Sequence, residues 1–215
     1  MKHEYHEQLR KAFDRQANNL LQKGYPRAAN VSAEAFLKHI EPLKERIGAL
    51  TLTEIDVEKG QLPFVIVVRS DLVPVEQAMS LVDREGKHGL TTLYPREPKD
   101  FEVIDGVRIP NGKAYLLVDI DRGKETINIT PREALQMIKK GNRSPLTIDE
   151  GIASITQYPT FLLKNNCFSL LASRSRGDKR VPAIWINRER RANLGWCWEG
   201  NPHTWLGSAS CRSRI

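Results

Sequence analysis

Two apolar runs limit what this chain can fold into more than anything else in it. Leu62-Pro63-Phe64-Val65-Ile66-Val67-Val68 is nearly continuous and β-branched, and Ala114-Tyr115-Leu116-Leu117-Val118-Asp119-Ile120 is its counterpart. Runs of this length suit strands covered on both faces, so both belong in a sheet, the first in its middle. Helices fill the gaps. Pro74 suits the first turn of a helix with Val75, Ala78, Met79 and Val82 inward, ended by Gly86. Thr130-Pro131-Arg132-Glu133 opens another, stopped by Gly141, and Thr147-Ile148-Asp149-Glu150 repeats the capping logic before Tyr158-Pro159. Residues 167–173 and 180–187 read as a hairpin with a basic tip. Strands and helices interleave without a strict strand–helix–strand rhythm, so the expected class is α+β, a mixed or antiparallel sheet with flanking helices.

Ahead of this core, Tyr5, Leu9, Ala12, Phe13, Ala17, Leu20 and Leu21 recur at three- and four-residue intervals, an amphipathic helix stopped by Gly24 and Pro26. A second helix is expected after Ser32, with Phe36, Leu37, Ile40, Leu43 and Ile47 inward and Pro42 splitting it. The organisation read from the chain is an N-terminal helical hairpin over residues 1–50 and an α+β domain over 51–215. The hairpin's apolar stripe has two candidate uses, packing on the rest of the chain or docking a protein partner as a structural or regulatory subunit.

With 215 residues, 40% hydrophobic and 27% charged, a core forms without disulfides or metals. Cys167, Cys197 and Cys211 are an odd number without repeated spacing, which fits reduced thiols and a cytoplasmic location. No apolar leader opens the sequence and no run approaches the ~18 apolar residues of a membrane span, so no membrane role is expected.

Charge and aromaticity are concentrated at one end. The last 42 residues hold nine Lys or Arg against three acids, a net +6 that leaves +1 for everything before, and all four tryptophans. The block Leu194-Gly195-Trp196-Cys197-Trp198-Glu199-Gly200-Asn201-Pro202-His203-Thr204-Trp205-Leu206-Gly207-Ser208-Ala209-Ser210-Cys211, with the strand Val181-Pro182-Ala183-Ile184-Trp185-Ile186 before it, resembles the C-terminal block of an uncharacterised bacterial protein family. The likeness extends back through residues 145–151; it implies no activity.

Indoles offer stacking faces and Gly-permitted turns let a chain wrap around a ligand, so the block composes well as a pocket; equally, aromatic residues close cores. The candidate ligand-binding set is Arg174, Arg176, Arg180, Trp185, Trp196, Trp198, Asn201, His203 and Trp205. Guanidinium groups match phosphate oxygens, which makes an anionic planar ligand, a nucleotide or nucleic acid, the expected partner. The competing expectation is a small transferase or hydrolase in which His203 exchanges protons with Cys211 or Asp119 as partner; Cys197 is a second candidate thiol. Val118-Asp119-Ile120-Asp121 resembles the first motif of haloacid-dehalogenase-like phosphatases, which would make Asp119 a nucleophile and Asp121 an acid/base. Gly123 departs from that motif, the chain beyond is too short for that fold, and a strand end entering a turn explains both carboxylates. Cys197, His203 and Cys211 do not have the compact spacing of a zinc site, so no metal is expected, and no cofactor is specified. Walker, dinucleotide-fold, HExxH and GxSxG motifs are absent.

Overall fold

A computed structural model of the protein describes residues 2–48, 50 and 56–215. Met1, Ala49 and residues 51–55 lie outside the described residues, as do the side chains of residues 2–5, Tyr5 of the expected stripe among them. The expected boundary between residues 1–50 and 51–215 falls there.

The protein is α+β, with two main sheets. Strands β1 (Gln61–Val68), β2 (Leu90–Thr91), β3 (Ala114–Asp121), β4 (Ser144–Pro145), β5 (Cys167–Ser169), β6 (Arg180–Ile186), β7 (Ala192–Trp198), β8 (Leu206–Ser208) and β9 (Ser210–Arg214) follow in chain order. The first sheet has the order β1-β3-β9-β4 and is antiparallel. The second has the order β8-β5-β6-β7-β2 and is mixed, with β8 parallel to β5 and β2 parallel to β7. Four main helices, α1 (Lys2–Gln22), α2 (Val75–Leu81), α3 (Pro131–Lys140) and α4 (Ile148–Gln157), accompany them.

The two apolar runs pair with each other, Leu62 opposite Ile120 and Val68 opposite Ala114. Both faces of β1 are covered, as expected, but the strand sits at the edge of its sheet and not in the middle. Its free edge is closed by a side chain. The fully buried Gln16 of α1 donates Nε2–H to Phe64 O at 3.0 Å and accepts from Ile66 N at 2.8 Å. One amide thereby stands in for a neighbouring strand, which satisfies backbone groups that burial would otherwise strand.

The stripe of α1 is used inside the molecule: Leu9, Phe13, Ala17 and Leu20 are buried in the common core. Polar links join α1 to the end of α4, Asn19 Nδ2 donating to Thr156 O at 3.0 Å and Gln157 Nε2 donating to Gln16 O at 3.2 Å. The second half of the expected hairpin is broken into short turns, Tyr25–Ala28, Ala33–Leu37, Glu41–Leu43 and Lys44–Ile47. Ser32 caps the second of these by accepting from Ala35 N at 3.1 Å, and Pro42 lies in the 3-10 turn that divides the stretch. Phe36, Ile40, Leu43 and Ile47 still point inward.

Helices α3 and α4 start and stop where their capping residues place them. Thr130 accepts from Glu133 N, and Thr147 and Glu150 form a reciprocal capping box. Every residue of α4 except Asp149 is buried. Gly151 permits close packing on the second sheet, because a Cβ there would lie 2.4 Å from Leu170 Cδ2. On the other side, Glu150 accepts from Tyr115 Oη of β3 at 2.7 Å and pairs with Arg214 of β9, Nη2 to Oε2 at 2.8 Å. The chain passes from the second sheet to the first at Ala209, whose N–H donates to Ser169 O at 3.1 Å and whose carbonyl accepts from Leu146 N at 3.2 Å. The expected hairpin survives as β5 with β6, but Ser173–Arg174 leaves it to pair with Glu102–Val103. Among the described residues, no helix is long and apolar enough to cross a membrane.

Candidate ligand-binding site

Strand register builds a hollow on the second sheet. Trp185 stands opposite Asn193, Ala183 opposite Gly195 and Val181 opposite Cys197, so Trp185, Ala183, Gly195 and Cys197 share a face. Leu206 of β8 lies beside Cys167 of β5. Small residues between larger ones leave space, and a cavity of about 510 Å³ opens there, lined by all four tryptophans. Gly195 fixes one wall. A Cβ at that position would lie 2.2 Å from Trp185 Cη2 and 2.9 Å from its Cζ3, so only glycine lets the indole lie down across β7.

Trp196 and Trp198 stand opposite Pro182 and Arg180, on the other face by register, with ring centroids 5.1 Å apart. Both nevertheless line the cavity. The Arg180 guanidinium lies over both rings, 4.5 Å from the Trp196 centroid and 4.8 Å from that of Trp198. Trp196 Nε1–H donates to Tyr94 O at 3.0 Å.

The remaining wall is the loop of residues 199–205. Arg174 and Arg132 both bind the Glu199 carboxylate at its start, the latter at 2.8 Å, and with Arg174 as the larger cause they hold its pKa below the usual range against the effect of burial. In its middle, His203 O accepts from Asn128 N at 2.9 Å, and at its end Trp205 O accepts from Cys167 N at 3.0 Å. The His203 ring lies 5.2 Å from that of Trp205, which meets Trp185 edge-on at 6.4 Å.

The lining is mostly apolar and holds no Asp or Glu. Its single formal charge is Lys164, carried with Asn165 on the turn between Phe161 and β5, where Asn166 N donates to Leu163 O at 3.0 Å. Asn165 takes a φ of 63°, a conformation Asn tolerates well. Among the described residues, the side chains of Lys164, Asn165, Asn201 and His203 and the indole N–H groups of Trp185, Trp198 and Trp205 have no hydrogen-bond or ion-pair partner. Cys167 and Cys197 complete the wall as neutral thiols, burial pushing both pKa values up.

Of the residues singled out from sequence, the fold brings Trp185, Trp196, Trp198, Asn201, His203 and Trp205 to this one cavity. Arg174, Arg176 and Arg180 do not line it. Arg174 is tied to Glu199, Arg176 meets Glu102 at 2.9 Å on the surface, and Arg180 pairs with Asp178 at 2.6 Å. Seven of the nine cationic side chains from Arg174 onward are paired with an acid in this way. Cys211 and Asp119 lie in the first sheet and do not line the cavity that His203 lines. The Cys211 thiol is fully buried and pushed up to about 12 by that burial, which leaves no thiolate to attack. Asp119 takes a φ of 52° within β3 and is held by Arg143 at 3.0 Å and Arg212 at 3.4 Å. Asp121 accepts from Gly123 N at 2.6 Å and so shapes its own turn. Among the described residues, no group of three His, Cys, Asp or Glu side chains is placed to hold a metal.

Lys164, Asn165 and Cys167, and on the strands Ala183, Ile186, Cys197 and Leu206, line the cavity without having been expected from sequence as ligand contacts. The Asn165-Asn166 pair signals a turn, but its position beside the tryptophans depends on β8 pairing in parallel with β5, which no local pattern announces.

An α+β protein with an indole-walled cavity in its second sheet is what this architecture defines. The chain matches the family of unknown function DUF5701 over residues 19–215 and belongs to that family. No curated protein and no solved structure matches it.

Proposed function

We propose that this chain is a binding protein for a small planar anion, held among the indoles of the second sheet. The observation that carries the reading is the convergence of four tryptophans on one open cavity of about 510 Å³, a size typical of small-molecule sites. Rigid aromatic walls favour a flat ligand, and a lining with Lys164 and no carboxylate favours negative charge on it. A nucleotide base fits the stacking chemistry. A long nucleic acid is less favoured, because that needs a row of free cations along a strand and most of the C-terminal arginines are already paired with acids. Binding is favoured over catalysis, because neither Cys211 nor Asp119 shares the cavity with His203 and the thiols that do are neutral. Three buried free cysteines support a cytoplasmic setting.

The test is titration of intrinsic tryptophan emission with planar aromatic acids and nucleoside monophosphates, with melting temperature followed in parallel. A saturable emission change and a raised Tm are expected for at least one class, with weak dependence on salt. Unchanged emission and Tm across the panel would sink the reading. A response confined to polynucleotides that falls steeply with salt would replace it with a nucleic-acid surface.

A further inference from the structure

Resting on that reading, we infer that the ligand is an aromatic monoacid, a flat apolar ring system bearing one carboxylate-like group, and that Lys164 selects it. Three observations converge on this chemistry. The first is the charge count, since the lining holds one Lys and no acid, so one negative charge on a ligand is matched and a second has no counterpart. The nearby guanidinium groups do not supply one: Arg180 lies over the indoles but is committed to Asp178, and Arg174 is committed to Glu199. Pulling either away would strip a carboxylate of one of its two guanidinium partners, Asp178 keeping only Arg96 and Glu199 only Arg132, a loss that a second phosphate charge would have to offset.

The second observation is the balance of unspent hydrogen-bonding groups. The Lys164 ammonium, three indole N–H groups and the amides of Asn165 and Asn201 are donors without protein partners among the described residues, and among the side-chain nitrogens and oxygens of the lining the acceptors are the two amide oxygens and one His203 nitrogen. A donor-rich wall calls for an acceptor-rich ligand group, and an ionised carboxylate accepts only. The third is placement. The tight turn at residues 163–166 holds Lys164 exposed at the wall, while Trp185, Ala183 and Cys197 on the sheet are apolar. An amphipathic ligand therefore has one orientation open to it, ring against the sheet and acid toward the turn.

The experiment uses two probes of one shape, naphthalene carboxylate and its neutral carboxamide, titrated by tryptophan emission and calorimetry against the full chain and against Lys164→Gln. The carboxylate is expected to bind wild type about tenfold more tightly than the carboxamide, the scale of one charge-assisted hydrogen bond, and Lys164→Gln is expected to erase that difference by weakening the carboxylate far more than the carboxamide. Equal affinity of the two probes for wild type overturns the inference and leaves the cavity reading standing. A preference for the carboxylate that survives in Lys164→Gln overturns the assignment of selectivity to Lys164. Failure of both probes to bind any form overturns both. Lys164 is exposed on a turn, so a folding defect is not expected, and unchanged Tm of the variant in the absence of probe verifies it.

Discussion

Against the first sheet the buried carboxylate of Glu150 on α4 receives Tyr115, Thr147 N and Arg214, and the open edge of β1 receives Gln16. In the second sheet, Lys164, Asn165, Asn201 and His203 stand around a hollow with no partner among the described residues. Both regions mix aromatic and polar side chains, but burial separates them: Gln16 and Glu150 are fully buried, whereas Lys164, Asn165 and Asn201 are exposed. The difference lies in where the polar groups find their partners, within the chain or in solvent. Buried polar groups that find partners within the chain specify a fold, and solvent-facing polar groups beside an apolar hollow are free to meet a ligand.

The strongest way to test the first half of that contrast is to break the Glu150–Arg214 pair. Both side chains are almost entirely buried, at 0% and 5% exposure. Arg214→Ala leaves the carboxylate without its cation and should cost about 3–5 kcal/mol in urea unfolding. Replacing both residues by apolar ones of similar size should recover most of that loss. A cost below about 1 kcal/mol would mean that this region tolerates unsatisfied charge, as only surface pairs do, and the contrast between the sheets would collapse.

A smaller effect is expected at the edge of β1. Gln16→Leu keeps the volume roughly constant and removes both partners of the strand edge, leaving Phe64 O and Ile66 N buried without hydrogen bonds. A loss of about 2–3 kcal/mol is expected, from the penalty for orphaned backbone groups. Hydrogen exchange should report it locally, with the Ile66 amide losing protection before its neighbours. Uniform loss across the molecule would show that α1 stabilises β1 by apolar contact alone.

How far these features were legible in the chain follows the same line. The ends of α3 and α4 were readable because a helix terminus is written within four residues, Thr130 with Glu133 and Thr147 with Glu150. The cavity's indoles were readable because tryptophan is rare and the four fall together, although whether they faced a hollow or a core depended on strand register. Strand β9, Ser210–Arg214, has no β-branched residue, and it is held in the middle of the first sheet by partners far away in sequence, Arg212 with Asp119 and Arg214 with Glu150. The C-terminal charge excess looked like a surface for anions for the same reason. Its acids, Glu85, Glu102, Asp119 and Glu150, sit upstream, and only the folded chain brings them to Arg190, Arg176, Arg212 and Arg214. Local charge imbalance was recording long-range pairing.

The smallest stability effect and the sharpest functional one are expected together at Gly195. A methyl group there collides with the Trp185 ring, which lies 2.2 Å from the ideal Cβ position, and with Thr92 Oγ1 at 3.0 Å. In a sealed core such a collision has nowhere to go and costs up to about 3 kcal/mol. Here the indole has the hollow beside it, so Gly195→Ala should swing Trp185 inward at a cost of about 1 kcal/mol, the low end of the range for overpacking. The displaced ring then fills the space a ligand would take. Tryptophan emission of the unliganded variant should therefore shift, and the response to naphthalene carboxylate should vanish while the urea midpoint changes little. A variant that loses several kcal/mol and still binds the probe would mean that the wall at Trp185 is rigid and the ligand lies elsewhere, against Trp198 and Trp205.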